Sequence, residues 1–327
     1  MGDLQKQNKT DGNIVIGITD FSNNNDVSNN SVISENIVTN VKQTSEKPNK
    51  NAKIPDILII VPYRDREPQR FAFMKIMPAI LEDKNYKIVF VHQRDKRPFN
   101  RGAIKNIGFL WAKQTYPLHY KDMTLVFHDI DTMPWYKNQF SYETTKGTIN
   151  HFYGFKRALG GIFAIKGSDF EEINGFPNIW TWGLEDNIIQ NRAINKKKQI
   201  IYPDFVQIEK ENTKIIGLWH GWDRIISGNI QEKLVNDNNR DGINTLSNVK
   251  FSLANIEGEF DEINVSSFTT NEPLSSKFVR YASKLDSRQF IYMNKKPYFV
   301  RPRPKIGTSG TFGKRRGKNG FGSMVFN

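Results

Sequence analysis

The sequence predicts an α/β fold with a mostly parallel central sheet. Three short and mostly apolar runs, at residues 57–61, 87–92 and 124–128, have the composition of strands that are buried on both faces. Two segments with helical periodicity, residues 67–81 and 100–114, separate these runs. Strand, helix, strand, helix and strand in this order are typical of parallel strands joined by right-handed crossovers. We therefore expect ligands to bind beyond the carboxyl ends of these strands.

The pattern changes after the third predicted strand, which leads into Asp129. We expect a further strand at residues 162–165 and a short helix through Phe170 that stops at Asn174 and Gly175. A helix over residues 185–195 begins with acidic side chains, which suit the positive end of a helix dipole. Beyond residue 220 the segments are shorter and more polar.

The two ends of the chain differ in composition from this central region. Residues 1–52 are rich in Asn, Ser, Thr and Lys and contain only short apolar runs, which predicts a disordered N-terminal tail. Residues 53–268 form the predicted folded domain, and residues 269–327 a basic C-terminal extension. Residues 301–321 in that extension are rich in Gly, Arg and Lys without an acidic residue, as is typical of a solvated, flexible tail.

The overall charge and the absence of cysteine restrict the partners and the compartment. A net charge of +13 suits an anionic partner, such as a nucleotide-sugar, or a nucleic acid or anionic surface bound by the C-terminal tail. Without cysteine no disulfide forms, which is compatible with a reducing compartment. The N-terminus lacks a signal-peptide pattern, and no apolar run approaches the ~20 residues that span a bilayer. We expect a soluble protein without a membrane span, in the cytoplasm or another reducing compartment.

Two aspartates at the end of the third strand are candidate metal ligands. In Asp129–Ile130–Asp131 the two carboxylates point to the same side if the chain remains extended. Divalent cations bound by one or two carboxylates commonly bridge them to a diphosphate. A helix cap or an exposed turn is the alternative interpretation of this short motif.

A second candidate region combines tryptophans with acidic residues. Trp180, Trp182, Glu185 and Asp186 lie within seven positions of each other around Gly183. Indole faces pack on sugar rings and carboxylates accept protons from hydroxyls, although core packing and helix capping explain each residue separately. His220 is a structural histidine or, beside the aspartates, a second ligand for Mn²⁺ or a similar ion.

Basic and aromatic side chains complete the predicted crevice. Arg64, Arg66 and Arg101 lie near the expected carboxyl ends of the strands, where guanidinium groups suit bidentate contacts with phosphate. Solvated surface arginines are the alternative. Phe99 is a candidate for stacking on a nucleobase, or a core residue.

These motifs together resemble the β-1,4-galactosyltransferase family, glycosyltransferase family 7. The similarity lies in an ordered series of blocks over residues 54–268: VPYRDR at 61–66, FNR at 99–101, DID at 129–131, GG at 160–161, NGFPN at 174–178, WTWGLED at 180–186, His220 and GINTL at 242–246. The two tails lie outside the similarity. Where the family often has a further metal ligand, this chain has Gly217 and Trp222.

The resemblance implies a fold, a reaction and a set of site residues. The fold is a GT-A-type, Rossmann-like nucleotide-sugar-binding fold, and residues 53–268 would be the glycosyltransferase domain. The donor is a UDP-sugar, the cofactor is Mn²⁺, and the anomeric carbon is inverted. The implied donor contacts are Pro62, Tyr63, Arg64, Arg66, Phe99, Arg101, Asp129, Ile130, Gly161 and Trp182. Asp131 and His220 would bind the metal, Glu185 would hold the acceptor and Asp186 would be the catalytic base.

We therefore expect a metal-dependent inverting glycosyltransferase. It would move a hexose or N-acetylhexosamine, with galactose favoured, from a UDP-sugar to a hydroxyl of a glycan or glycoconjugate. Two alternatives remain at this stage: a catalytically degenerate protein that binds a sugar or UDP, and a basic protein that binds nucleic acid.

Overall fold

The computed structural model describes residues 13–16, 54–181, 183–208, 214–219, 224–227, 230–274 and 278–281. Contacts divide the chain into two units. The main unit consists of Met1–His220 and Ile225–Val279, and the second of Gly221–Arg224 and Arg280–Asn327. The site residues discussed below belong to the main unit.

The elements follow each other in an α/β order through the first half of the chain. The strands are β1 Asn13–Ile16, β2 Ile57–Tyr63, β3 Tyr86–Gln93, β4 Thr124–His128, β5 Thr132–Pro134, β6 Thr148–Phe155, β7 Ala158–Lys166, β8 Gln199–Ile201, β9 Val206–Gln207, β10 Ile215–Gly217, β11 Arg224–Ser227, β12 Ser247–Glu257, β13 Phe260–Thr269 and β14 Phe278–Tyr281. The helices are α1 Glu67–Ile80, α2 Arg101–Thr115, α3 Gly167–Glu172, α4 Glu185–Asn195 and α5 Ile230–Val235, with a 3₁₀ turn at Ile243–Thr245.

Most strands join one sheet of ten strands, in the order β1-β12-β13-β3-β2-β4-β7-β6-β8, with β9 also paired to β6. Its centre, β13-β3-β2-β4, is parallel. β7 pairs antiparallel with β4, and β12 pairs antiparallel with β13. Two further sheets have two strands each, β10 with β5 and β11 with β14.

The sheet is buried on both faces because helices cover both. Along β2, Ile57 and Ile59 face the core under α1, where they meet Phe73. Leu58 and Ile60 alternate to the other face, in the core under α2. This arrangement confirms the predicted α/β class and explains why the strand sequences read as continuous apolar runs.

The predicted elements are present with small shifts. Strand β4 and helix α4 have the predicted bounds, α1 ends one residue earlier than predicted, and α2 begins and ends one residue later. Strand β2 does not end at Pro62 but continues to Tyr63. Its pairing with β4 stops at Ile60, so at Pro62 the strand has a neighbour on one side only, where a residue without an N–H is tolerated.

A long hairpin late in the chain was not predicted. β12 and β13 pair antiparallel, and β13 then adds to β3 as a parallel neighbour. The buried apolar residues of β13, such as Ile263 and Val265, alternate with polar ones, so the segment reads as polar on average. The predicted domain limit at residue 268 falls at the end of this strand.

The predicted disordered tail contains one described segment. Asn13–Ile16 forms β1, which pairs with residues 249–252 of β12. The other residues of 1–52, like residues 301–321 of the basic tail, lie outside the described part of the chain. Among the described helices, none has the length and apolar character needed to cross a membrane.

Candidate active site

The start of α2 is fixed by Asn100, which joins three parts of the chain. Its Oδ1 accepts a hydrogen bond from the N–H of Ala103 at 2.9 Å, which caps the helix, and its Nδ2 donates to the carbonyl of Asn178 at 2.9 Å. Its own N–H donates to Oε1 of Gln93, at the end of β3, at 2.8 Å. The first residue of α2, Arg101, is therefore held at the carboxyl ends of the parallel strands.

Arg101 gathers three carboxylates from two other elements. Its Nη1 donates to Glu185 Oε1 at 2.9 Å and to both oxygens of Asp186 at 2.8 Å. Its Nη2 donates to Asp129 Oδ1 at 2.5 Å. Asp129 follows β4, while Glu185 and Asp186 open α4. The structure thus brings together the DID, FNR and WTWGLED blocks, which are far apart in the sequence.

A second cation reaches the same cluster from the core. Lys105 lies one turn after Arg101 on α2, and its Nζ is 3.2 Å from Asp186 Oδ1. Its side chain is 1% exposed. Lys105 is not among the residues predicted from the sequence. A lysine among the apolar residues Ala103, Ile104 and Ile107 nevertheless indicates a buried charge.

The electrostatics of the cluster follow from burial and close charges. Burial alone would lower the pKa of Arg101, but Asp129, Asp186 and Glu185 raise it well above its usual value. Burial, with a contribution from Arg101, lowers the pKa of Lys105. Burial raises the pKa of Glu185, and the adjacent charge of Asp186 adds to this. The guanidinium therefore remains charged as the fixed centre of the group.

The two acidic residues of α4 differ in access to solvent. The Glu185 side chain is 4% exposed, and its Oε2 accepts a hydrogen bond from the N–H of Gly183 at 3.1 Å. The Asp186 side chain is 23% exposed. Asp186 is thus the better placed of the two to meet a substrate hydroxyl, while Glu185 also shapes the loop before the helix.

The Asp129–Asp131 motif lies in the turn between β4 and β5 and not in an extended strand. The side chains of both aspartates are partly exposed, while Ile130 between them is 5% exposed and belongs to the hydrophobic core. Burial, together with the charge of Asp129, raises the pKa of Asp131 to about 6. Two carboxylates that repel each other at this point fit the binding of a hard cation.

The described residues supply only part of a metal site. Asp129 is already bound by Arg101, and no group of three Asp, Glu or His side chains that could hold a metal occurs in the described ranges. The N–H of Leu218 donates to the carbonyl of Asp131 at 2.7 Å, which brings residue 218 beside the motif. His220, the second predicted ligand, and Trp222 lie outside the described residues, whereas Gly217 pairs with Thr132 in β5.

Two glycines of β7 allow close contacts with other parts of the fold. A Cβ on Gly160 would stand 2.4 Å from Asp186 Oδ2, so the carboxylate occupies the space that a side chain would need. Gly161 has φ +67°, and a Cβ there would stand 2.3 Å from the carbonyl oxygen of Tyr153. Its own carbonyl accepts a hydrogen bond from the N–H of Asp129 at 3.0 Å. Glycine at 160 therefore allows the close approach of β7 to Asp186, and glycine at 161 allows that of β7 to β6.

The loop before α4 has an unusual backbone. Thr181 and Leu184 adopt φ of +78° and +61°, in the left-handed region that non-glycine residues rarely occupy. Trp180 does not face the site, because its ring stacks on Phe268 at 5.4 Å and its Nε1 donates to the carbonyl of Glu272 at 3.0 Å. Trp182, the predicted donor contact, lies outside the described residues.

Several predicted donor contacts have another role in this structure. Tyr63 is buried, stacks on His92 at 4.3 Å and donates its hydroxyl hydrogen to Glu262. Pro62 is buried within β2, and the Ile130 side chain is in the core, so only their backbones remain to face a nucleotide. Arg101 is bound to carboxylates where a phosphate contact was predicted. The contacts of these residues with a nucleotide remain predictions.

The remaining predicted contacts lie at the same edge. Arg64 donates to the carbonyl of Arg97 and lies 3.8 Å from Asp95, so the loop after β3 holds it. Arg66 is partly exposed and is close enough to Asp131 to lower its pKa. Phe99 is partly buried and its carbonyl accepts a hydrogen bond from the N–H of Thr181 at 3.0 Å, which ties the FNR block to the loop before α4.

Comparison with known protein families places this site in context. Residues 7–143 match the model of the N-terminal region of glycosyl transferase group 7. Residues 143–214 match a second model, described as the N-terminal domain of galactosyltransferase. The two matches are contiguous and cover the cluster around Arg101 up to α4.

Curated relatives carry the same family name. The chain is 31% identical over 161 residues to β-1,4-galactosyltransferase 1 of Mus musculus, covering 46% of this chain and 39% of the relative. It is 27% identical over 173 residues to β-1,4-galactosyltransferase 7 of Drosophila melanogaster, covering 50% of this chain and 52% of the relative. The chain thus spans about half the length of the curated relatives it matches.

The solved structure of the catalytic domain of Drosophila β-1,4-galactosyltransferase 7, in complex with xylobiose, is similar in fold. The TM-score is 0.52 at 22% identity, covering 64% of this chain and 93% of that one. A mutant of the same enzyme, in complex with manganese, UDP-Gal and xylobiose, gives the same TM-score. The likeness confirms the GT-A-type fold. The two family models together match residues 7–214, and they show that the chain belongs to the β-1,4-galactosyltransferase family, glycosyltransferase group 7.

Proposed function

We propose that this protein is a metal-dependent inverting glycosyltransferase that moves galactose, or a related hexose or N-acetylhexosamine, from a UDP-sugar to a glycan hydroxyl. The observation that carries the proposal is the cluster of Asp186, Glu185 and Asp129 around Arg101, at the carboxyl ends of the parallel strands. The solved relative in complex with manganese, UDP-Gal and xylobiose supports this choice of donor, metal and acceptor class.

Asp186 is the proposed general base. It is the more exposed of the two acidic residues, and it accepts hydrogen bonds from Arg101 and Lys105. The acceptor hydroxyl would give its proton to Asp186 while its oxygen bonds to the anomeric carbon of the donor. The bond from that carbon to the UDP oxygen breaks, and UDP leaves with the electron pair. A positioned base of this kind contributes ~10²–10⁴-fold to the rate.

Asp131 and His220 are the proposed protein ligands of Mn²⁺. Asp131 lies at the end of β4 beside Leu218, two positions before His220. When bound, the ion supplies positive charge that offsets the charge developing on the leaving diphosphate. Gly161, Arg66 and the backbone at Pro62 are proposed contacts of the nucleotide and the donor sugar.

A donor and acceptor screen tests the proposal. Release of UDP is measured with Mn²⁺ for UDP-Gal, UDP-GalNAc, UDP-Glc and UDP-GlcNAc, each with a xyloside and an N-acetylglucosaminide as acceptor. We expect the highest turnover with UDP-Gal. Asp131→Ala is the control, because removal of the metal ligand should abolish Mn²⁺-dependent UDP binding in calorimetry.

The other outcomes identify the alternatives. Metal-dependent binding of UDP without turnover on any acceptor would indicate a degenerate, sugar-binding member of the family. No binding of UDP, together with salt-dependent binding of nucleic acid, would indicate a function of the basic tail. UDP binding that is unchanged in Asp131→Ala would refute the assignment of the metal ligand.

A further inference from the structure

Lys105 is a buried cation that the proposed reaction does not yet use. It lies on α2 one turn after Arg101, so both side chains leave the same face of the helix. The Lys105 side chain is 1% exposed, against 14% for Arg101. A donor or acceptor in the crevice therefore meets Arg101 but not Lys105.

The Lys105 ammonium donates a hydrogen bond to one carboxylate oxygen and lies beside an aromatic ring. Its Nζ donates to Asp186 Oδ1 at 3.2 Å and lies 4.2 Å from the centre of the Phe176 ring. An isolated buried ammonium is strongly unfavourable, whereas a paired one is tolerated. Asp186 is thus the group that stabilises the charge of Lys105 in the core, and the two are mutually dependent.

The two oxygens of Asp186 have different neighbours. Oδ1 accepts hydrogen bonds from both Arg101 and Lys105. Among the described residues Oδ2 accepts only from Arg101, and it lies against Gly160, where a Cβ would be 2.4 Å away. Oδ2 therefore lies against β7 at Gly160, the residue before the proposed donor contact Gly161.

We propose that Lys105 is a positioning residue for the base of the reaction proposed above. From within the core it holds Oδ1 of Asp186, so that the carboxylate is fixed in rotation and Oδ2 remains to accept the proton of the acceptor hydroxyl. It also supplies the second positive charge for three carboxylates, Asp129, Glu185 and Asp186. The inference rests on the proposed function, because it assigns a role within that reaction.

The effect of removing Lys105 depends on the other charged groups around Asp186. Arg101 of α2 donates hydrogen bonds to both carboxylate oxygens of Asp186, and Glu185 precedes Asp186 on α4. Asp129 shares Arg101 from the end of β4. His151 of β6 also lies within electrostatic reach, and burial lowers its pKa, so it is neutral near pH 7. Without Lys105 a single guanidinium would face three carboxylates.

The experiment compares Lys105→Met with wild type in the full chain. Methionine keeps the length and apolar stem of the side chain and removes the charge. We expect kcat to fall ~10-fold or more while the KM for the UDP-sugar stays within about 2-fold. Lys105→Arg, which keeps the charge, should retain most of the wild-type kcat.

Lys113→Met is the matched control. Lys113 lies on the same helix, pairs with Glu171 and is distant from the cluster. Its replacement should leave both kcat and the KM for the UDP-sugar at the wild-type values. If Lys105→Met has the wild-type kcat, the positioning role is overturned.

A measurement without turnover separates this inference from the proposed function. Unfolding midpoints in denaturant are compared for Lys105→Met, Asp186→Asn and the double variant. Contact between the two groups predicts that the shifts are not additive, and additive shifts would overturn the inference. A wild-type chain that transfers no sugar would overturn the proposed function. If the wild-type chain is active and Lys105→Met has an unchanged kcat, only the role of Lys105 is overturned.

Discussion

Two charged clusters lie near the parallel strands, and they differ in their balance of charge. In the first, three carboxylates share two cations, Arg101 and Lys105. In the second, one carboxylate, Glu262 of β13, receives all the donors. Arg70 of α1 lies 2.8 Å from it, Tyr63 donates its hydroxyl hydrogen to it, and His92 lies 3.5 Å away.

The balance of charge indicates which of the two clusters is suited to catalysis. The second cluster is saturated, because donors from β2, β3 and α1 all converge on one carboxylate. The first has more carboxylates than cations and keeps Asp186 partly exposed. A site that abstracts a proton requires an accessible carboxylate that can still accept a hydrogen bond. A carboxylate that is already surrounded by donors, such as Glu262, stabilises the fold instead.

The largest expected effect concerns the base itself. Asp186→Asn keeps the size of the side chain and removes its basicity. Turnover should fall by ~10²-fold or more, while UDP-sugar and Mn²⁺ affinity change little. Steady-state kinetics and calorimetry measure the two quantities. Asn caps a helix about as well as Asp, so wild-type turnover in the variant would mean that Asp186 has a capping role only.

Asp83→Asn is the control for this variant. Asp83 is an exposed aspartate that pairs with Lys137, outside the site. Its replacement should leave turnover at the wild-type level. An equal loss of turnover in Asp83→Asn would show that the effect of Asp186→Asn is not specific to the cluster.

A smaller loss is expected when the carboxylate is displaced. In Gly160→Ala the new Cβ would stand 2.4 Å from Asp186 Oδ2, so the carboxylate must move. Displacement of a catalytic group by about 1 Å costs roughly 10²-fold in kcat. The same change in an Asp186→Asn background should cause no further loss, because the base is already absent. Additive losses in kcat would show that Gly160 acts on something other than Asp186.

The smallest expected effect on turnover comes from the saturated cluster. Glu262→Gln should leave kcat unchanged but lower the free energy of unfolding by about 1–3 kcal/mol, since hydrogen bonds to a charged group are lost. Chemical denaturation at pH 7 measures this. Glu259→Gln, at an exposed position before the same strand, is the control and should be neutral. A loss of turnover in Glu262→Gln would contradict the separation of the two clusters.

The difference in stability between wild type and Glu262→Gln should change with pH in a definite direction. Burial opposes ionisation of Glu262, but hydrogen bonds from His92 and Tyr63 and the charge of Arg70 lower its pKa below the usual value. A lowered folded-state pKa stabilises the fold above the unfolded pKa, ~4.3. The stability gap between wild type and Glu262→Gln should therefore be full at neutral pH and shrink as the pH falls below about 4.

The fold was largely predictable because its core strands carry strong local signals. β2 and β4 are continuous apolar runs, α2 has helical periodicity, and α4 begins with two acidic residues. The hairpin of β12 and β13 was missed because its residues are polar on average. The alternation of apolar and polar residues in β13 is a local strand signal, but its pairing with the distant β3 has no signal in the local sequence.

The site was predictable in its location and less so in its contacts. Motif order identified Asp129, Glu185 and Asp186, which the structure brings onto Arg101. The burial of Tyr63 depends on Glu262, 199 positions away. The direction of a side chain depends on partners of this kind, which the chain alone does not reveal. The roles of Trp182 and His220 remain predictions.

The parallel arrangement of β3 and β13 also has a consequence for synthesis of the chain. His92 and Asn264, neighbours across these strands, are separated by 172 positions. At the usual pace of translation the free edge of β3 would wait roughly ten to thirty seconds for its partner. An unpaired edge of apolar strands invites association with other chains. The nascent protein would therefore depend on chaperones until the hairpin has left the ribosome, and a stop codon within the hairpin would leave that edge permanently open.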